Sequence, residues 1–303
     1  MNLSLTEEQV LIQDTARDFS QSVLAPAAEK VENDRALFLR NLESLSELGF
    51  MGLNVSSKYG GTEAGVIAFS LAITEVAKSC ASTAVTLSVS NMVAEIIEAI
   101  GNEEQKTQYI PKLCDGTYAA AGFCLTEAGA GSDPAAMRTS ANRDGDEWVL
   151  NGTKLYITSA EYAGVFVVWA VTDKAARKGK GISCFIVEAD TPGIQISKAE
   201  RKLGQHASST NEVVFDNCRI PATALMGAEN QGFKVAVGEL TGGRIGIASL
   251  ALGLGYFGQP HIIVRFMAIR SVAEVSKARN IGVSWMAIAL IGSIGIGIIG
   301  RAY

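Results

Sequence analysis

Histidine is nearly absent from this chain. His206 and His261 are the only two in 303 residues, too few imidazoles for a histidine-rich metal site. Cys80, Cys114, Cys124, Cys184 and Cys218 are odd in number, widely spaced and without a CxxC pair. They are therefore expected to be buried free thiols of a cytoplasmic protein. The opening MNLSLTEEQV has no basic segment followed by an apolar one, so it reads as neither a signal nor a transit peptide. Positive charge is scarce as well. The first 252 residues hold 21 basic and 30 acidic side chains, a balance of −9, and the rest of the chain carries +4. An acidic body offers no basic stripe with which to displace phosphate counterions, which argues against nucleic acid as the partner.

What is present begins as helix. Thr6 and Gln9 fit a capping box, and Val10, Leu11, Phe19, Val23 and Leu24 recur at roughly helical spacing as far as Pro26. Further helices are expected from Arg35 to Leu48, Ala64 to Ser79 and Ser82 to Ile100, with a last one opening at Asn102 and Gln105 and ending near Cys114. From Ala119 the period changes. Asn151-Gly152 between two apolar runs predicts a hairpin. Gly164 to Thr172, Ile182 to Glu188 and Glu212 to Phe215 read as strands, and the basic stretch Lys174 to Lys180 as a solvated loop. After residue 229 the helical period returns.

The hinge between the two regimes is Cys124-Leu-Thr-Glu-Ala-Gly-Ala-Gly-Ser-Asp133. An apolar run feeds a turn in which Gly129 and Gly131 let main-chain N–H groups approach a ligand, and Thr126 and Ser132 add hydroxyls. It contains neither GxxxxGK[ST] nor GxGxxG. Two GxGxxG matches, 253–258 and 295–300, follow no plausible strand and are not dinucleotide fingerprints.

CLTEAGAGSD resembles the first signature of the acyl-CoA dehydrogenase family, and the likeness runs over residues 1–252. The resemblance implies an α+β multidomain chain: an all-α domain over 1–118, a middle β-barrel over 119–228 and the start of a C-terminal helical bundle over 229–252. It implies FAD as cofactor, a short-chain acyl-CoA as substrate, an electron-transferring flavoprotein as redox partner and a homo-oligomer. Carried over by position, Phe123, Leu125, Thr126, Gly131 and Ser132 lie along the flavin, with Ser132 also meeting the acyl-CoA. Tyr156, Ile157 and Thr158 resemble the second flavin strand, where an aromatic ring packs on the isoalloxazine and a threonine hydroxyl reaches its reactive edge. The stretch Lys202 to Thr210 resembles the segment that closes the barrel, with His206 where arginine is common and a structural role expected for it. Arg244 matches a substrate-side arginine, while Thr241 stands where the family has an acid.

No catalytic base follows from this resemblance. The position that carries the glutamate in a minority of members is Gly243, and Glu239 one turn earlier is a weak substitute. Residues 253–303 instead resemble sodium/proline symporters, in Gly255-Tyr-Phe-Gly-Gln-Pro-His261 and Ser284-Trp-Met286 among other places. Val283 to Gly300 is 18 residues without a charge, about 27 Å as a helix and near the lower limit for a bilayer span. The chain is thus expected to be a truncated, inactive dehydrogenase joined to a membrane-contacting tail.

Overall fold

The computed structural model describes residues 4–236, 238 and 245–251, all within one compact unit, Met1–Leu254. Helix α1, Glu7–Phe19, opens on the expected capping box: Gln9 N–H donates to Thr6 Oγ1 at 3.2 Å and Thr6 N–H to Gln9 Oε1 at 3.1 Å. It does not stop at Pro26. A π-helical turn, Ser20–Leu24, carries the chain into α2, Ala25–Val31, and Pro26, which has no N–H to give, falls where the wider turn hands over to the α-helix. Helix α3, Arg35–Glu47, is capped by Asp34, and α4 and α5 are Gly65–Ser79 and Ala81–Ile100. Helix α6, Glu103–Cys114, begins with a second capping box on Asn102 and Gln105.

Among the described residues eight strands follow: β1 Ala120–Cys124, β2 Ser140–Asp144, β3 Glu147–Thr158, β4 Ala163–Val171, β5 Ile182–Glu188, β6 Ile194–Ile196, β7 Thr210–Pro221 and β8 Leu225–Met226. Their order is β6-β7-β3-β2-β4-β5-β8, with β1 parallel to β4. The hydrogen-bonded path ends at β6 and β8, so the ladder is open rather than the closed barrel expected. The hairpin predicted at Asn151-Gly152 is also displaced. The β2–β3 turn lies at Gly145, φ +62°, and Asn151-Gly152 sits inside the long β3 at a register shift against β7. Gly152 has φ +149°, and a Cβ there would stand 2.5 Å from Thr139 Oγ1. Glycine is needed for a bulge, not for a turn. Lys174 to Lys180 forms a largely exposed loop, as expected.

Helix α5 joins the layers. Leu87, Val93, Ala94, Ile96 and Ile97 are fully buried on it, and so are the hydroxyls of Ser82, Thr83, Thr86 and Ser90. Ser90 Oγ accepts Ala121 N–H of β1 at 3.2 Å. The polar atoms point to specific partners across the helix–sheet boundary while the apolar ones fill it. Among the described residues α5 is the one helix long and apolar enough to cross a membrane, and 61% of its most apolar window is buried here. The candidate span Val283 to Gly300 lies outside the described residues. Residues 245–251 are helical and pack on α4, where Ser249 Oγ meets Ser70 Oγ at 2.7 Å and Ser249 O accepts from Thr74 Oγ1 at 3.2 Å. All five cysteines are buried and unpaired. Burial pushes the Cys114 and Cys218 thiols up to about 11.

Candidate cofactor and thioester site

Strand β1 delivers the chain to Leu125, and the turn beyond it folds back through Glu127 and Ala130, whose N–H groups each donate to the other's carbonyl. Gly129, Gly131, Ser132 and Asp133 are exposed. A Cβ added at Gly129 or Gly131 would meet no heavy atom within 4 Å. Neither glycine has positive φ; what they provide is an open main-chain face. Asp133 is held from the other side by Lys178 of the basic loop.

Lys154, absent from the candidates read in the sequence, organises this turn. Its side chain is wholly buried, yet its ammonium lies 2.8 Å from Glu127 Oε1 and 3.2 Å from Leu125 O. Glu127 also accepts the N–H groups of Arg138 at 2.6 Å and Thr139 at 3.0 Å. Burial works to raise the Glu127 carboxyl, but the Lys154 charge and these hydrogen bonds hold it below the usual carboxylate range. The ion pair ties both ends of the loop to β3. A direct bond from Leu155 N–H to Thr126 O at 2.8 Å completes the link. The signal available in the sequence was phase: Lys154 falls in step with the inward Trp148 and Leu150 of β3, and a lysine there demands a buried counter-ion.

The same strand then irregularly leaves its ladder. A register shift against β7 lies between Lys154 and Ile157. Tyr156 sits in it with φ +59° and a side chain 66% exposed. An exposed tyrosine in a left-handed conformation is an uncommon arrangement that surrounding structure must impose. Thr158 beyond it is half-buried and Ser159 again has φ +59°. Thr126, Gly131, Ser132, Tyr156 and Thr158 thus come from two segments locked together and keep surface free. Leu125 and Ile157 differ from expectation: both side chains are buried in the core at 4% and 1% exposure, so only their main chains can meet a ligand. Phe123 is half-buried and packs at a tilt against Trp169, centroids 4.5 Å apart. The backbone N–H of His206 donates to Glu32, and its ring nitrogen lies 2.9 Å from Lys202 O in an exposed loop, in keeping with a structural role. Arg244, Glu239, Thr241 and Gly243 lie outside the described residues.

A partly open cavity of about 270 Å³ is lined by Asn54 together with Val66 and Phe69 of α4 and Ser88, Met92 and Glu95 of α5. Asn54 Nδ2 donates to Glu95 at 2.9 Å.

Residues 6–117 and 122–218 match the N-terminal and middle domain models of the acyl-CoA dehydrogenases. The short-chain specific acyl-CoA dehydrogenase of Clostridium acetobutylicum is 38% identical over 289 residues, 94% of this chain and 75% of that protein. The chain belongs to the acyl-CoA dehydrogenase family. Another acyl-CoA dehydrogenase, the mitochondrial short/branched chain specific enzyme of Bos taurus, is 42% identical over 252 residues, 83% of this chain. The chain spans 58% of that relative's length. Among solved acyl-CoA dehydrogenase structures, glutaryl-CoA dehydrogenase of Mycobacterium smegmatis in complex with FADH2 superposes with a TM-score of 0.76 at 34% identity, covering 88% of this chain and 67% of that one. Residues 222–303 also match the sodium:solute symporter family model. That match starts before the junction expected near residues 250 to 256, in a stretch that packs with the dehydrogenase-like residues. Gln105 donates to Thr223 O at 2.8 Å, and Trp169 Nε1 to Gly232 O at 2.9 Å.

Proposed function

We propose that this chain carries the flavin and thioester face of a short-chain acyl-CoA dehydrogenase, acting in FAD-dependent α,β-desaturation with an electron-transferring flavoprotein as acceptor. The observation that carries this reading is the pair of open segments, 126–132 and 156–158, held in register by the buried Lys154–Glu127 pair. The open main chain at Gly129 and Gly131 and the exposed ring of Tyr156 suit a planar, polar-edged group. FAD, when bound, supplies a hydride acceptor, which no amino-acid side chain can be. The chain's own part is to bind and orient. With FAD bound, Thr126 would offer a hydroxyl to its pyrimidine side, the Tyr156 ring would pack on the isoalloxazine and Thr158 would offer its hydroxyl to the reactive edge, while Ser132 would meet the acyl-CoA. The small cavity on α5 takes the acyl tail, its apolar wall coming from Val66, Phe69 and Met92.

The α-proton needs a base, which a minority of the family carry on the first helix of the C-terminal bundle. Gly243 occupies the one matching position before residue 252, and the loss of a general base costs about 10²–10⁴ in rate. With glycine at that position, the 303-residue polypeptide is proposed to desaturate very slowly. Anaerobic mixing of the FAD-loaded protein with butyryl-CoA, followed by visible absorbance, tests this. Slow bleaching over many minutes is expected, and bleaching within the mixing time would refute the missing-base account.

The symporter match over 222–303 favours a second reading, in which a flavoprotein remnant is held at a membrane by Val283 to Gly300. Partition of the protein with membranes after carbonate washing, without flavin, would favour it over the enzyme.

A further inference from the structure

Ser159 follows Thr158 directly and holds a left-handed backbone, φ +59°, which a residue with a Cβ adopts only when its surroundings enforce it. Its hydroxyl is fully buried and beyond the reach of water. Three segments meet on it. Ser159 Oγ lies 2.8 Å from Thr86 Oγ1 of α5, and Thr86 Oγ1 donates to Ser208 Oγ at 3.0 Å. A hydroxyl has one proton to give, so Thr86 spends its proton on Ser208 and must accept from Ser159. Ser159 N–H donates to Ser209 O at 2.8 Å, and Thr158 pairs with Thr210 across β3 and β7. The far side of that loop is anchored by Lys202 Nζ, which donates to Ser208 O and to Thr210 Oγ1. All of Thr86, Ser159, Ser208 and Ser209 are at most 1% exposed.

We propose that Thr86 is a positioning residue: its hydroxyl holds Ser159 in the left-handed conformation and thereby aims the Thr158 hydroxyl at the cofactor edge. The cofactor half of this inference rests on the flavin reading above; the conformational half does not. Thr86 also lies two residues before Ser88, which lines the α5 cavity, so one helix carries both the tail pocket and the support for Thr158.

Thr86→Val keeps the side chain's shape and deletes only the hydroxyl, leaving two buried partners unmatched. Hydrogen exchange of the Ser159 amide in the 303-residue protein, without flavin, is expected to accelerate roughly ten-fold, with core amides of α1 and α4 unchanged. FAD affinity is expected to fall roughly three- to ten-fold in the same variant. Thr86→Ser, which keeps the hydroxyl, should restore both readouts. In an S159G background the T86V change should have little effect on exchange, because glycine enters the left-handed region unaided. Unchanged Ser159 exchange in T86V overturns the proposal. Faster exchange with unaltered FAD affinity overturns the link to the cofactor. Wild-type protein that takes up no FAD overturns the proposed function, while the exchange arm still decides what Thr86 does.

Discussion

Lys154 is the residue on which the geometry of the site turns. A fully buried ammonium is tolerable because Glu127 lies 2.8 Å away and is itself bonded by two main-chain N–H groups. Lys154→Met would leave that carboxylate buried and unpaired, and breaking such a pair costs about 3–5 kcal/mol. The pH dependence separates this from a simple packing defect. In the wild type the Glu127 carboxyl is held below its usual range. Its stabilisation is therefore complete above the ordinary carboxylate range and is lost as pH falls through the depressed folded value. In K154M the carboxyl is desolvated without a counter-charge, which raises it, so acid relieves the defect. Urea unfolding at pH 7 and near pH 4 should find the gap between the two proteins narrowing at the lower pH; a constant gap would mean that charge pairing is not the cause.

At the scale of elements, β3 explains both what could be read from the residues and what could not. Its hydrophobic alternation was legible, and so were the helix caps at Thr6 and Asn102, because each rests on neighbours a few positions apart. The place of the hairpin was not. Asp144-Gly145-Asp146 and Asn151-Gly152 are both good turn sequences, and the choice between them depends on β7, which pairs with β3 on both sides of Gly152. The ion pair that fixes the cofactor face joins residues 27 apart in the chain, and the Thr86 contact to Ser159 joins residues 73 apart. No local pattern encodes either. Gly152→Ala supplies a check at this scale. A Cβ would lie 2.5–2.7 Å from Thr139 atoms at a φ of +149°, so the variant should lose about 1–3 kcal/mol by thermal or urea unfolding. A neutral result would mean that the bulge is not formed as described.

Over the whole molecule, charge is unevenly distributed. Residues 1–252 carry −9 and residues 253–303 carry +4. Residues 245–251 still pack against α4 through Ser249, so the body keeps its own apolar closure up to that point. The proposed activity depends on the two segments of the middle sheet forming one flavin face. The most direct measurement is a titration of FAD with the 303-residue protein, following flavin fluorescence, for the wild type and Tyr156→Ala. Saturable quenching is predicted, with affinity reduced roughly three- to ten-fold by loss of the stacking ring. Quenching that is absent, or that is identical in the two proteins, would contradict the account.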